Sequence, residues 1–313
     1  MNKEKNLMEQ IKKESASLSE CFSAIGTIEE AMFDSEIAYR LTEINELAKL
    51  VPHYRDELMK QCFELSGMEL DRSIIMKHTR EKPFGYSGDF QLIDWIYKNE
   101  PCSQGKGWLW DKVFLRQPAT QAVRNRVNFF GKQLYFFCKN HNKTSVLSLA
   151  CGPCREVLDA VRAINPGAFN CSFHFVDQDS RAIDYAKSLI NGDFSHSLEL
   201  QWEASNVFRI RPKQKYSLIW VSGLFDYLDD RLAAALLRRM WHWLDNGGRI
   251  IVGNFHPDNP SRNQMEWCLG WFLIHRSENE MTELCRKARI STEAISFEFE
   301  PVGINMFLVI NKG

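Results

Sequence analysis

Cys151 and Cys154 flank a Gly-Pro pair in "SVLSLACGPCREVLDA", residues 145–160. Two thiols at that spacing suit a redox dithiol or half of a metal clip. A glycine between an apolar run and a helical one suits a loop that brings backbone close to a bound cofactor. Asp177 closes the next apolar run, "SFHFVD", 25 positions after Gly152 (177 − 152). A carboxylate there can accept hydrogen bonds from ribose hydroxyls. Asp226 and Tyr227 in "SGLFDYLDD" and His256 in "NFHPDNP" also follow apolar runs, and they offer groups able to move a proton. Tyr86 and Asp89 in "EKPFGYSGDF", and Glu266 and Trp267 in "MEWCLGW", are candidates for an acceptor pocket. Each has a plainer alternative. Asp226 can cap the following helix, although Asp229 and Asp230 are placed to do so. Asp89 suits any turn, and Trp267 with Trp271 suits helix packing.

The elements that must hold these residues change character near residue 140. Before it the pattern is helical. Ile37, Leu41, Ile44 and Leu47 follow helical spacing, with Ser35 or Asp34 as cap. "PHYRDELMKQCFELSG" predicts a helix with Pro52 in its first turn and Gly67 at its end. A third helix starts after Pro118. From Lys143 short apolar strands alternate with helices: "SVLSLA", "SFHFVD", "LELQWEA", "YSLIWVS" and "RIIVGNF". The chain ends in a hairpin of "EAISFEFE" and "INMFLVINK" around "PVG". Alternation of this kind predicts an α/β, Rossmann-like, doubly wound sheet of seven mostly parallel strands. One strand of the closing hairpin must run antiparallel. Residues 1–140 form a helical part and residues 141–313 the sheet domain.

The surroundings choose among dithiol, metal clip and cofactor loop. A thioredoxin carries Trp before its first cysteine, where this chain has Ala150, and needs a later cis-proline that is missing here. A structural metal site needs about four ligands, and no second Cys-x-x-Cys follows. A dinucleotide fingerprint needs three glycines, whereas "ACGPCR" has one. A nucleoside cofactor without a pyrophosphate fits this loop and Asp177 best.

"VLSLACGPCRE", "FHFVDQDSRAIDYA" and "YSLIWVSGLFDYLDD", with the closing hairpin, resemble class I S-adenosylmethionine-dependent methyltransferases over roughly Lys143 to Lys312. Ala150, Gly152 and Cys154 stand where that family has Gly-x-Gly-x-Gly. "KPFGYSGDFQLIDWIY", "AVRNRV", "GNFHPDNPSRNQMEW" and "WFLIHRS" resemble the bacterial methyltransferase group that makes 3-hydroxypalmitic acid methyl ester, with Phe84 in place of the usual arginine. The resemblance implies S-adenosyl-L-methionine as cofactor, held by Ala150, Cys151, Gly152, Pro153, Asp177, Gln178, Ser205, Asn206, Val207, Ser222 and Gly223. It implies that Arg126 or Arg124 meets the cofactor's carboxylate. Catalytic roles fall to Asp226, His256 and Tyr86, and acceptor contacts to Asp89, Tyr227, Glu266 and Trp267. The helical part would then be a lid. A small-molecule acceptor is expected, methylated on a carboxylate or hydroxyl oxygen. Methylation of an amine or heterocycle, a non-catalytic binding module and a thioredoxin-like reductase are the alternatives. A carboxylate nucleophile is already ionised and needs no base; a hydroxyl or an amine needs one.

Bulk properties narrow the class further. Lys+Arg number 39 against Asp+Glu 40, a net charge of −1 that lacks the basic surplus of a nucleic-acid binder. Hydrophobic residues make up 44%, enough for a full core. No apolar run reaches membrane-spanning length, and "MNKEKNLMEQIKKES" lacks a signal peptide's apolar core. The expectation is a cytoplasmic chain whose 9 cysteines are buried thiols and which carries no metal.

Overall fold

The computed structural model describes residues 2–164, 170–190 and 198–313. The chain divides into two compact units: residues 1–121 with 259–272, and residues 122–258 with 273–313.

The first unit is helical: α1 (Asn2–Ser23), α2 (Glu30–Lys49), α3 (Arg55–Leu70), α4 (Ile74–Glu81), α5 (Phe90–Lys98) and α6 (Lys106–Leu115). It also takes the first turn of α7 (Pro118–Asn140) and the later α11 (Arg262–Leu269). Ile37, Leu41 and Ile44 of α2 are buried as their spacing requires. Two sequence expectations are corrected here. α2 begins at Glu30, upstream of Ser35 and Asp34; Ser35 bonds back to Ala31 O, and Asp34 pairs with Arg116. Pro52 lies in a separate short turn, Pro52–Tyr54, and Gly67 is inside α3. Gly67 does not terminate the helix; a Cβ there would stand 2.5 Å from Nη2 of Arg80, the end of a side chain that can shift. The core gathers around Trp110, whose ring meets Phe22 at 5.2 Å and Phe33 at 5.6 Å.

The second unit is a seven-stranded sheet in the order β3-β2-β1-β4-β5-β7-β6. Its strands are β1 (Thr144–Leu149), β2 (Cys171–Asp177), β3 (Glu199–Ala204), β4 (Tyr216–Val221), β5 (Leu244–Phe255), β6 (Ile295–Phe299) and β7 (Asn305–Asn311). β1 to β5 are parallel, and β7 runs antiparallel to both its neighbours. Helices α8 (Arg155–Ile164), α9 (Ser180–Ile190), α10 (Asp230–Trp243) and α12 (Glu278–Lys287) complete the unit. Alternate strand residues point to opposite faces. Leu147 and Ile219 pack with α10 and α12, whereas Val146 and Leu218 pack with α7, α8 and α9. Burial on both faces explains why the central strands read as continuous apolar runs. The chain winds from β1 to β3 in one direction and resumes at β4 on the other side of β1. The carboxyl ends of β1 and β4 therefore meet where strand order reverses, the position at which such sheets bind ligands. No described helix is long and apolar enough to cross a membrane.

Candidate active site

The loop after β1 has an unusual backbone. Ala150, Gly152 and Cys154 all lie in the left-handed region, with φ of 49°, 51° and 55°. These are the three positions at which the resembling family places glycine. A left-handed non-glycine residue costs about 1–2 kcal/mol, so the fold imposes this path on Ala150 and Cys154 against their preference. Ala150→Gly is expected to stabilise the protein by about 0.5–1 kcal/mol, after the greater flexibility of glycine in the unfolded chain is subtracted. Thermal unfolding of the variant checks the sign.

Hydrogen bonds hold the loop in place. Cys151 N–H donates to Val176 O at 3.1 Å, and Cys154 N–H to Cys151 O at 2.9 Å. Gly152 N–H donates to Asp177 Oδ2 at 2.9 Å, and Asp179 N–H to Asp177 Oδ1 at 2.9 Å. Asp177 thus braces the first loop while each of its oxygens keeps further acceptor capacity. It does not cap α9: Asp179 does, accepting from Arg181 N–H at 3.0 Å. Burial raises Asp177 above the usual carboxylate range, and the N–H donors from Asp179 and Gly152 pull it back. A Cβ on Gly152 would meet no atom within 4 Å. The space beside the loop at Gly152 is therefore open.

Both loop thiols are buried, and burial pushes each above its ordinary value. That favours the unreactive thiol over the thiolate. All nine cysteines are free.

The neighbouring strand ends contribute the rest. After β3, Ser205 N–H bonds Asp177 O at 2.8 Å, Asn206 Nδ2 reaches Gln178 Oε1 at 3.4 Å, and Val207 is buried in the core. After β4, Ser222 Oγ donates to Glu156 Oε1, which also accepts from Trp220 Nε1 at 3.3 Å. Glu156, buried in the first turn of α8, ties the β1 loop region to the end of β4. Gly223 makes room for Arg126: a Cβ there would stand 3.2 Å from Nη1. Arg126 is 4% exposed and donates from Nε to Asn305 Oδ1 at 3.0 Å. Asp226 is 2% exposed and accepts from Phe255 N–H at 2.7 Å.

The loop, the acid at the end of β2 and polar groups at the ends of β3, β4 and β5 lie along the carboxyl edge of the sheet. A family model described as "Putative methyltransferase" matches residues 41–308 of the chain. The chain belongs to this methyltransferase family. No curated protein sequence matches it. Among solved structures, a possible exported protein of Bordetella parapertussis is similar at 18% identity and TM-score 0.60, over 78% of this chain and 88% of that one. The magnesium protoporphyrin IX methyltransferase of Synechocystis PCC 6803 with bound SAM is similar at 11% identity and TM-score 0.50, over 78% and 97%. The same enzyme with bound SAH is similar at TM-score 0.51 over 78% and 100%. At these identities the likeness is one of fold.

Several residues of the methyltransferase sit differently from the sequence expectation. Asp89 is a buried cap of α5, accepting from Gln91 N–H and Leu92 N–H at 3.0 Å each, and its carboxylate also meets His78 Nε2 at 2.8 Å. These partners hold it at the helix start. Glu266 is bound by Arg55 at 3.1 Å and Arg262 at 2.6 Å, and Trp267 is fully buried with Nε1 on Asn45 Oδ1 at 3.3 Å. Both serve packing of the helical unit. Tyr86 is half-buried in the turn before α5. His256 follows β5, but its Nδ1 faces Asp258 at 3.4 Å, its Nε2 faces Glu278 at 3.3 Å, and its ring packs edge-on against Phe299. Nδ1 also accepts from Asp258 N–H at 3.3 Å, so both ring nitrogens have neighbouring partners. Tyr227 is 41% exposed beside Asp226.

Glu156, Arg276 and Glu300 went unnoticed in the sequence. Arg276 lies in "WFLIHRS", so the segment was legible but the residue was not. It is 2% exposed and donates to Phe225 O at 2.8 Å, Leu228 O at 2.5 Å and Asn254 Oδ1 at 3.1 Å. It therefore fixes the 225–228 turn that carries Asp226.

Burial pushes Asp226 up to about 6, with Arg126, Phe255 N–H and Arg276 opposing the rise. The unfolded chain titrates this group near 3.9. Between these values the folded state binds more protons than the unfolded one, so stability falls as pH rises through the window. The contribution lost by pH 7 is about 3 kcal/mol, at about 1.36 kcal/mol per unit. Urea titrations of wild type and Asp226→Asn from pH 4 to 7 are expected to diverge with that sign, the variant lacking this decline.

Proposed function

We propose that this methyltransferase moves a methyl group from S-adenosylmethionine to a carboxylate oxygen of a small apolar acid, giving a methyl ester. The left-handed Ala150–Gly152–Cys154 loop braced by Asp177 carries the reading. It leaves open space over Gly152 with a carboxylate beside it, which suits a nucleoside with a free ribose and no phosphate. The cofactor supplies an electrophilic methyl. Asp177 accepts from the ribose, the loop backbone lies against the ligand, and Arg126 faces its carboxylate.

A carboxylate acceptor is ionised at neutral pH and needs no base, which agrees with a His256 whose nitrogens are both engaged. Alignment and exclusion of water then carry the rate. Apolar groups around the strand ends support an apolar acceptor: Tyr227 and Ile274 are 41% and 40% exposed, and Ile274 N–H bonds Asp226 O at 2.8 Å. A 3-hydroxy fatty acid, as in the group that the sequence resembles, has this chemistry.

Calorimetry should show binding of S-adenosylmethionine and S-adenosylhomocysteine and none of NAD. Incubation with labelled S-adenosylmethionine and a panel of 3-hydroxy acids, alcohols and amines should label the acids as base-labile esters. Label on amines alone would replace the reading with N-methylation; tight NAD binding without adenosylmethionine binding would end it.

A further inference from the structure

Cys138 and Cys171 meet at the amino edge of the sheet. Cys138 lies in the last turn of α7, and Cys171 opens β2. Their sulfurs are 2.9 Å apart, against about 2.05 Å in a disulfide. Each is fixed by its own element. His141 N–H donates to Phe137 O at 3.0 Å and the His141 ring stacks on Phe137, which holds the end of α7. Thr144 N–H donates to Asn170 O at 2.9 Å, and Thr144 stands opposite Cys171 in the β1–β2 ladder. Both cysteines pack into the apolar cluster on the α7, α8 and α9 face of the sheet.

The formation of a disulfide needs a partner sulfur and a path for an oxidant. Cys62 and Cys268 hydrogen-bond each other but are 1% and 0% exposed. In the β1 loop Cys154 is 1% exposed, and burial raises both thiols. Cys102 is exposed, but burial and Asp111 push its thiol up to about 11. Cys138 and Cys171 are in contact, and both keep some exposure, 8% and 6%. The hydrogen bond from Cys171 holds the Cys138 thiol below its ordinary value against the opposing effect of burial. Cys138 is therefore the sulfur that reaches the reactive thiolate more readily.

We propose that Cys138 and Cys171 form a peroxide-sensitive dithiol that closes to a disulfide joining α7 to β2. The Cys138 thiolate attacks one oxygen of hydrogen peroxide. An S–O bond forms, the O–O bond breaks, and the hydroxide released leaves as water with the proton that Cys138 gave up. The Cys171 sulfur then attacks the Cys138 sulfenic acid. The S–S bond forms, the S–O bond breaks, and the second hydroxide leaves as water with the Cys171 proton. Two thiols lose two electrons and two protons, and one peroxide becomes two waters. The bond lies six residues (177 − 171) from Asp177, about 20 Å along β2 at about 3.3 Å per residue. It closes a loop between positions 33 apart and so restricts the unfolded chain.

The test is treatment of the folded wild type with dilute hydrogen peroxide, alkylation of the remaining thiols, proteolysis without reductant and mass spectrometry. The peptides carrying Cys138 and Cys171 are expected as one species, two hydrogens lighter than their sum and separated by dithiothreitol. The melting temperature should rise by about 5–10 °C and return on reduction. Cys171→Ser should leave Cys138 as a sulfenic acid that dimedone labels. Recovery of Cys138 and Cys171 as alkylated thiols, or of either as a sulfinic acid without the crosslink, overturns the proposal. So does a crosslink confined to other cysteines. A crosslink that lowers the melting temperature also overturns it, since such a bond forms only by distorting the native packing. The crosslink is read on the wild type, so misfolding of Cys171→Ser does not blunt the test.

Discussion

Arg276→Ala is expected to destabilise the sheet unit by about 3–5 kcal/mol, the cost of breaking a buried charged network from one side. The guanidinium meets Phe225 O, Leu228 O, Asn254 Oδ1 and Asp230 Oδ1, and the backbone N–H of Arg276 meets Phe255 O at 3.0 Å. Removing the side chain leaves two carbonyls and an amide oxygen buried without their donor. It also removes one of the positive charges that oppose the rise in Asp226. The turn carrying Asp226 loses its clamp, so ligand binding should fall along with stability. Urea unfolding at pH 7 measures the first effect. A loss under 1 kcal/mol would mean that water replaces the guanidinium and that the turn holds its own shape.

Gly152→Ala should do the reverse, leaving the fold and removing the ligand. The strain of a side chain at φ 51° costs about 1 kcal/mol. No neighbour lies within 4 Å of the new methyl, so no clash within the protein adds to it. The space that the methyl enters is the space assigned to the cofactor. S-Adenosylmethionine affinity is expected to fall about 100-fold, a loss of about 2.8 kcal/mol at about 1.4 kcal/mol per factor of ten. Calorimetry beside a thermal melt checks both halves. Unchanged affinity in the variant would move the cofactor away from the loop.

The order of strands and helices, the doubly wound sheet and its reversed last strand were legible because each rests on local pattern. An apolar run buried on both faces, a helix period and a Pro/Gly turn are written in consecutive residues. The candidate loop was legible for the same reason. Helix starts were less so. Ser35 and Asp34 have cap chemistry, yet Phe33 is buried and α2 runs upstream of both, because packing outweighs a cap worth about 1 kcal/mol.

Tertiary structure alone decided which polar residues find partners within the fold. Asp89, Glu266 and Asp226 are all carboxylates in segments that resemble one family, and the sequence cannot rank them. Their partners do: Asp89 is spent on α5 and His78, Glu266 on two arginines, and Asp226 keeps an oxygen free. Those partners lie 11 residues away for His78 and 211 for Arg55, beyond any local signal. The same holds for Ala150 and Cys154. Their residue types argue against left-handed backbone, and only the sheet, which fixes where β1 ends and α8 begins, forces them into it.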